Sequence, residues 1–322
     1  MRLEYIAKKT IYAAITIFLI LIFNYFLFRI VPGDPLAMLM RNPKATPEMI
    51  AGIKALYGLD QAWHVQFFNY LGSLFKGDMG MSFMYKAPVA DVIAPKVLPT
   101  LALFGVAEIL SIIIGIFMGI VAAWKRGSKL DVGILGFSLT TYSMPTFWLG
   151  MIMISLFCVS IQIFPVGGML SPTMAFAGQW EQFWDMAWHL ILPALTLSIL
   201  MIGEYMLTMR NSLIDVLSED YIVTARAKGF NERYILKNHA VPNAMLPMVT
   251  LVAMNLGLVV GGAIQIETVF SWPGLGYLMY EAINGRDYPL LQGLFLLFTV
   301  SIVIANYIAD IAYFYIDPRV RE

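Results

Sequence analysis

The stretch Asp220-Tyr221-Ile222-Val223-Thr224-Ala225-Arg226-Ala227-Lys228-Gly229 runs on through Phe230 and Asn238 to His239-Ala240-Val241-Pro242 and Leu246-Pro247. Hydrophobic runs flank its charged part, at about 188–209 before it and 241–264 after it. Each run is long enough to cross a hydrocarbon layer of roughly 30 Å as a helix. The charges between them must therefore lie in water at one membrane face, and the spanning segments must be helical to satisfy their own backbone polar groups. Within the stretch, Ser218 is expected to cap a short helix carrying Tyr221 and Ala225 on one side. Gly229 should end that helix, and Asn231 should cap a second one, Glu232 to Ala240. Thr224, Ala225, Ala227 and Gly229 are small enough for another protein to approach closely. Arg226, Lys228, Arg233 and Lys237 mark the cytoplasmic side. A basic segment resting on anionic lipid is the alternative, but it requires neither the small residues nor a glycine at the turn.

Composition agrees with a lipid environment. Hydrophobic residues make up 59% of the chain and charged residues 13%, against a usual charged share of about 25%. A soluble protein of 322 residues could not hide that much apolar surface. Six spans can be drawn, at approximately 9–31, 97–124, 132–162, 188–209, 241–264 and 288–315. The first contains an uncharged run of 19 residues, Thr10 to Phe28, and Val31-Pro32-Gly33-Asp34-Pro35 follows it instead of a small-x-small cleavage site. It is expected to be a retained anchor.

The cations orient the spans. Arg2, Lys8, Lys9, Lys125, Arg126, Lys129, Arg210, Arg226, Lys228, Arg233, Lys237, Arg319 and Arg321 fall on one face. On the other face, 163–187 has no Lys or Arg and 265–287 has Arg286 alone, while Arg41, Lys44, Lys54, Lys76 and Lys86 lie in the loop 32–96, whose length makes them count weakly. The positive-inside rule then makes both termini cytoplasmic. Three regions follow: 1–31 as N-terminal tip and first span, 32–96 as an external loop region, and 97–322 as a core of five spans with a cytoplasmic loop at 210–240. In the external region, Thr46, Pro47 and Gly58 frame one helix. A second would put Trp63, Phe67, Tyr70, Leu71, Leu74 and Phe75 on one side and stop at Gly77. That aromatic stripe either packs on the ends of neighbouring spans or helps seat an external partner.

Ionisable residues within spans usually face protein or a cavity. Glu108, Glu204 and Asp310 stand out. Glu108 is the deepest, and reads either as a partnered carboxylate between helices or as a contact for a substrate amine or gate. Asp310 lies toward the inner end of the last span, where water could reach it. Gly115–Gly119 and Gly257–Gly261 have the spacing that permits close helix approach. Catalytic patterns are missing: there is no G-x-x-x-x-G-K-[ST], H-E-x-x-H or G-x-S-x-G. The single cysteine, Cys158, lies in an apolar run, and three scattered histidines suggest no metal site.

The charged stretch resembles the EAA loop of ABC importer permeases, the segment that docks on the ATP-hydrolysing subunit. Nearly the whole chain is similar to the first permease subunit of the dipeptide/oligopeptide/nickel importer family. Matching segments are Val31-Pro32-Gly33-Asp34-Pro35, Tyr57-Gly58-Leu59-Asp60, Gly77-Asp78-Met79-Gly80-Met81-Ser82 and Leu98-Pro99-Thr100-Leu101. Further on come Ser143-Met144-Pro145-Thr146-Phe147-Trp148-Leu149-Gly150, Leu192-Pro193-Ala194-Leu195-Thr196-Leu197, and Glu267-Thr268-Val269-Phe270-Ser271-Trp272-Pro273-Gly274-Leu275-Gly276. Val223-Thr224-Ala225 stands where the general pattern has Glu-Ala-Ala, and His239-x-Val241-Pro242 where it has Ile-x-Leu-Pro.

The resemblance implies an all-α integral membrane protein with the type I ABC importer permease fold and six transmembrane helices in a prokaryotic inner membrane. It implies a pore shared with a homologous second permease, two ATPase subunits, and an extracytoplasmic solute-binding protein that delivers substrate. Nucleic acid is not an expected partner. No cofactor is expected on this chain, which would not be an enzyme itself; ATP and Mg would sit on the partner subunits. Tyr221, Thr224, Ala225, Arg226, Ala227, Lys228 and Gly229 would form the docking helix. Glu108, Asn255, Gly257 and Gly261 become candidates for the pathway, and Glu267, Trp272 and Pro273 for an exposed external gate. Substrates of the family are dipeptides, longer peptides, nickel chelates or oligosaccharides. The rival reading is a secondary transporter in which Glu108 or Asp310 carries coupling protons.

Overall fold

Helices account for most of the residues described in the computed structural model, which are 2–30, 46, 48, 61–258 and 264–316. The helix expected between Pro47 and Gly58 lies outside them, as do Val31–Pro35, Tyr57–Asp60 and Gly261. The long helices are α1 (Arg2–Ile30), α3 (Val89–Trp124), α6 (Gln179–Leu217) and α13 (Tyr288–Ile316). Among the described residues these four are long and apolar enough to cross a bilayer unbroken. Between α1 and α3 lies α2 (Trp63–Phe75). Its Phe67 and Tyr70 pack on Tyr25 of α1, with ring centroids 5.0 and 5.6 Å apart. The aromatic stripe therefore covers the end of a span, while Trp63, Phe68 and Phe75 stay exposed.

The expected third span, 132–162, is not one helix. It is α4 (Lys129–Ser143) followed by α5 (Thr146–Met153), which continues as widened π-type turns over Ile154–Ser160. The two parts meet at 105°. Pro145 explains the break: it lacks an N–H, and its ring drives Met144 out of the helical region, to φ −74° and ψ 138°.

Contacts between helices fix their directions. Gly115 of α3 meets Ile202, Tyr205 and Met206 of α6, and Gly119 meets Met206, Met209 and Arg210. Residue numbers rise together along this seam, so α3 and α6 are parallel. A Cβ on Gly115 would lie 2.5 Å from that of Tyr205, and one on Gly119 would lie 2.7 Å from that of Met209. Small residues are what allow the approach. In contrast, α1 and α13 are antiparallel: Asn24 Nδ2 donates to Gln292 O (3.1 Å), and Lys9 pairs with Asp310 (2.6 Å).

The start of α13 sits beside the start of α3, where Gly293 packs on Val89 and Ile93. Asp287, fully buried, ties the start of α13 to the segment that leads into α3. It accepts from Ser82 Oγ at 2.5 Å and from the amides of Met84 and Leu290. One end of the bundle thus gathers residues 61–88, 161–178 and 264–287. The opposite end gathers the starts of α1, the ends of α13, the connector 125–128 and the charged stretch after α6. There Arg210 grips Asp131 with two hydrogen bonds of 2.8 and 2.9 Å, joining α6 to α4.

Candidate functional site

The charged stretch grows directly out of α6. At 39 residues this helix runs past both edges of the expected span 188–209. With a rise of 1.5 Å per residue it is nearly twice as long as a hydrocarbon layer of about 30 Å. Its extra turns are amphipathic, with Leu213 fully buried and Ser212 and Asp215 more open. Ser218 consequently closes α6: it has helical dihedrals, and its hydroxyl donates back to Asp215 O at 2.6 Å. The next helix, α7 (Asp220–Ala227), has Glu219 as its N-cap instead of the expected Ser218.

Tyr221 and Ala225, four residues apart, lie on one side of this helix as expected, but only Ala225 is buried. Ile222 and Ala225 point inward, at 0% and 7% exposure, while Tyr221 is 42% exposed. Ile222 and Ala225 join a core with Met209 and Leu213 of α6 and with Ile235, Ala244 and Met248. The outward face carries Tyr221, Val223, Thr224, Arg226, Ala227 and Lys228. Gly229 ends the helix at φ +82°, a left-handed conformation that glycine adopts without strain.

Asn231 caps α8 (Glu232–Ile235) as expected, accepting from Tyr234 N at 2.8 Å. The helix expected to run on to Ala240 widens into a π-type turn over Leu236–Ala240, before α9 (Val241–Ala244). Pro242 is the cause, since its ring would clash with the carbonyl of Asn238 in a regular helix. Arg226 and Glu232 bridge the turn at 2.8 Å. Phe230 and Tyr234 stack beside it at 5.0 Å, each 45% exposed. Sequence reasoning passed over this aromatic pair; two aromatics four apart in a polar connector were the available signal.

Deep in the bundle, Glu108 of α3 is 2% exposed and accepts a hydrogen bond from Tyr205 Oη of α6. Asn255 belongs to α10 (Leu246–Leu258) and donates to the same hydroxyl at 3.0 Å. Three spanning segments are thereby joined by one chain of polar groups. Glu108 Oε2 has no hydrogen-bond partner among the described residues. Gly257 follows on α10, and Gly261 lies outside the described residues. Glu204 is half-buried, and Asp310, expected to be hydrated, is paired with Lys9 instead.

The external gate candidates are not exposed. Glu267 on α11 (Ile264–Val269) is fully buried. Its Oε1 accepts from Thr100 Oγ1 at 2.8 Å, and its Oε2 from the amide of Tyr277 at 2.9 Å. Thr100 in turn accepts from Leu275 N at 2.7 Å. Glu267 and Thr100 together satisfy the N-terminus of α12 (Leu275–Gly285), a favourable place for a negative charge. Trp272 is also fully buried among Leu103, Leu192 and Phe270, with Nε1 donating to Pro99 O at 2.9 Å. The Pro273-Gly274 turn reads as an exposed loop in sequence because its polar partners lie far away on α3. Pro273 itself is half-buried.

Comparisons with known proteins cover the whole length. Residues 111–322 match the family model described as binding-protein-dependent transport system inner membrane component. Residues 2–104 match the N-terminal model of the same membrane component. The chain is 36% identical over 336 residues to the dipeptide transport system permease protein DppB of Escherichia coli K12, covering 99% of both chains. It is 36% identical over 320 residues to the glutathione transport system permease protein GsiC of Salmonella choleraesuis, again covering 99% of both. Among solved structures, it is similar to the inward-facing MetNI methionine ABC transporter at a TM-score of 0.56 and 17% identity. That match covers 70% of this chain and 96% of the other. The fold is therefore that of an ABC importer permease.

Proposed function

This chain belongs to the family of binding-protein-dependent transport system inner membrane components, and on that premise we propose that its 218–245 segment is the joint through which partner ATPases drive a peptide pathway. It is a multi-pass permease subunit of the bacterial inner membrane and of an ATP-driven importer. Two relatives carry dipeptide and glutathione in their names, so short peptides are the proposed substrates. A second homologous permease would complete the pathway, a solute-binding protein would deliver substrate, and ATP and Mg would be bound by the ATPases.

Helix directions support a reading of six crossings. Because α3 and α6 are parallel, the bent α4–α5 pair has to return the chain across the membrane. Because α1 and α13 are antiparallel neighbours, the total is even. Four long helices and the bent pair make five, and α10 with the residues after it supplies the sixth. The end bearing Lys8, Lys9, Lys125, Arg126, Lys228 and Arg233 is then cytoplasmic.

The observation that carries the docking proposal is the two-faced character of α7. Tyr221, Thr224, Ala227 and Lys228 face water, while Ile222 and Ala225 share a core with Met209 and Met248. A force applied to the outer face is delivered to α6 and α10. The rival, ion-driven reading relied on Glu108 and Asp310, and nothing in the family match supports it. Asp310 is neutralised by Lys9, and Glu108 is tied to Tyr205.

Affinity purification through a tag on this chain tests the assembly. A second permease and two ATPase subunits are expected with wild type. With Ala227→Trp the second permease should remain and the ATPases should be lost. Undiminished ATPase recovery with both Ala227→Trp and Tyr221→Ala would move docking elsewhere. Transport by this chain alone, without ATP, would overturn the reading.

A further inference from the structure

At the cytoplasmic end, α1 and α13 leave a cleft of about 200 Å³ between them. Lys9, Tyr12 and Thr16 line one wall, and Asn306, Tyr307 and Asp310 the other. Lys9 Nζ and Asp310 Oδ2 meet at 2.6 Å, yet their side chains remain 31% and 42% exposed. An ion pair this open adds little to stability, so holding the helices together does not account for it. Lys8 adds a second cation beside the cleft, with its ammonium 5.8 Å from the centre of the Tyr12 ring. Thr10 Oγ1 and Tyr307 Oη are hydrogen-bonded at 2.8 Å.

We propose that this cleft binds the phosphoethanolamine headgroup of a membrane phospholipid, its phosphate on Lys9 and its primary ammonium on Asp310. The location fits a lipid: Lys9 lies within the first turns of the apolar stretch Tyr5–Phe28, at headgroup depth. Further along α1 and on its adjoining side, Ile15, Phe18 and Leu19 are all more than half exposed and offer a surface for acyl chains. The charges fit this headgroup better than others. A headgroup that is only anionic would set its phosphate against Asp310 with nothing to offer the carboxylate. A choline headgroup has no N–H to donate. A phosphate and an ammonium two carbons apart match both members of the Lys9–Asp310 pair, and the pair opens to receive them.

The purified permease complex in detergent tests this through bound lipid and thermal stability. Phosphatidylethanolamine should be enriched several-fold over its share of the source membrane, and adding it to delipidated complex should raise Tm. Phosphatidylglycerol and phosphatidylcholine should not. Lys9→Gln and Asp310→Asn should each abolish both the enrichment and the Tm shift. Asn306→Trp fills the cleft from an exposed position, leaves the ion pair intact, and should do the same if the charge variants fail to assemble. Equal retention of all three lipids, preference for phosphatidylglycerol, or unchanged binding in Asp310→Asn and Asn306→Trp would overturn the proposal. Protection by soluble glycerophosphoethanolamine, with none from the lipid, would keep the chemistry and overturn the lipid as its source.

Discussion

Tyr205 shows how far a single residue's role can lie from its local sequence. In an apolar run it reads as packing, but its hydroxyl donates to Glu108 and accepts from Asn255 across three segments. Glu108 was legible as a deep carboxylate, whereas its partner is 97 positions away and left no local trace. Tyr205→Phe leaves a buried carboxylate oxygen and a buried amide without partners, at a cost of about 1–3 kcal/mol for the amide and more for a charged carboxylate. A lower Tm of the purified complex is the expected result. Glu108→Gln can still accept from Tyr205 and removes a buried charge, so stability should hold or rise. Transport in a stable Glu108→Gln variant separates the two readings of this residue. Retention fits a carboxylate that joins helices, and loss would assign its charge to the pathway. Arg210 was counted in sequence only as a cation marking a face. The structure gives it Asp131, 3% exposed at the side chain. Arg210→Met strands that carboxylate and should cost about 3–5 kcal/mol, measurable as lost assembly or lowered Tm.

At the scale of elements, the sequence located the charged connector and its Gly229 and Asn231 signals. The beginning of α7 was misplaced because α6 continues to Leu217, beyond the apolar run that marked its span. Hydropathy senses where lipid ends, not where a helix ends. The inward side of α7 was placed through Ala225, but Ile222 as its centre was not named, since the core it enters comes from Met209, Leu213 and Met248 and not from its own pattern. The two alanines therefore predict different phenotypes. Ala225→Trp overpacks a buried site and should lower Tm and expression. Ala227→Trp, on the water-facing side, should leave Tm within a degree or two and impair ATPase recovery alone. The kink at Pro145 was present in the sequence as a proline in an apolar run, but its 105° size depends on how both halves pack.

For the whole molecule, the membrane-spanning helical class and the grouping of cations were readable from composition and spacing, and the permease fold from the family resemblance. Helix directions were not, because they depend on long-range contacts such as Gly115 with Tyr205 and Asn24 with Gln292. Labelling with a membrane-impermeant maleimide tests the resulting topology. Cys158, whose Sγ donates to Pro165 O at 3.2 Å, can first be replaced by Cys158→Ser. Phe176→Cys, at a fully exposed position, should then react from outside intact cells, and Lys228→Cys only after permeabilisation. Reaction of both from the same side would break the six-crossing topology.

The parallel α3–α6 seam also constrains how the chain can be built. Spans enter the bilayer in order of synthesis, so α3 arrives well before the helix that Gly115 and Gly119 fit. The bent pair and the segment after it must emerge first, and in that interval the glycine stripe faces lipid or another protein. A chain stalled after Ser160 would hold three of the six expected crossings, with its glycine stripe still unmatched. Quality control that recognises unassembled membrane helices would find its mark there, and Gly115→Leu should convert that passing state into a lasting one.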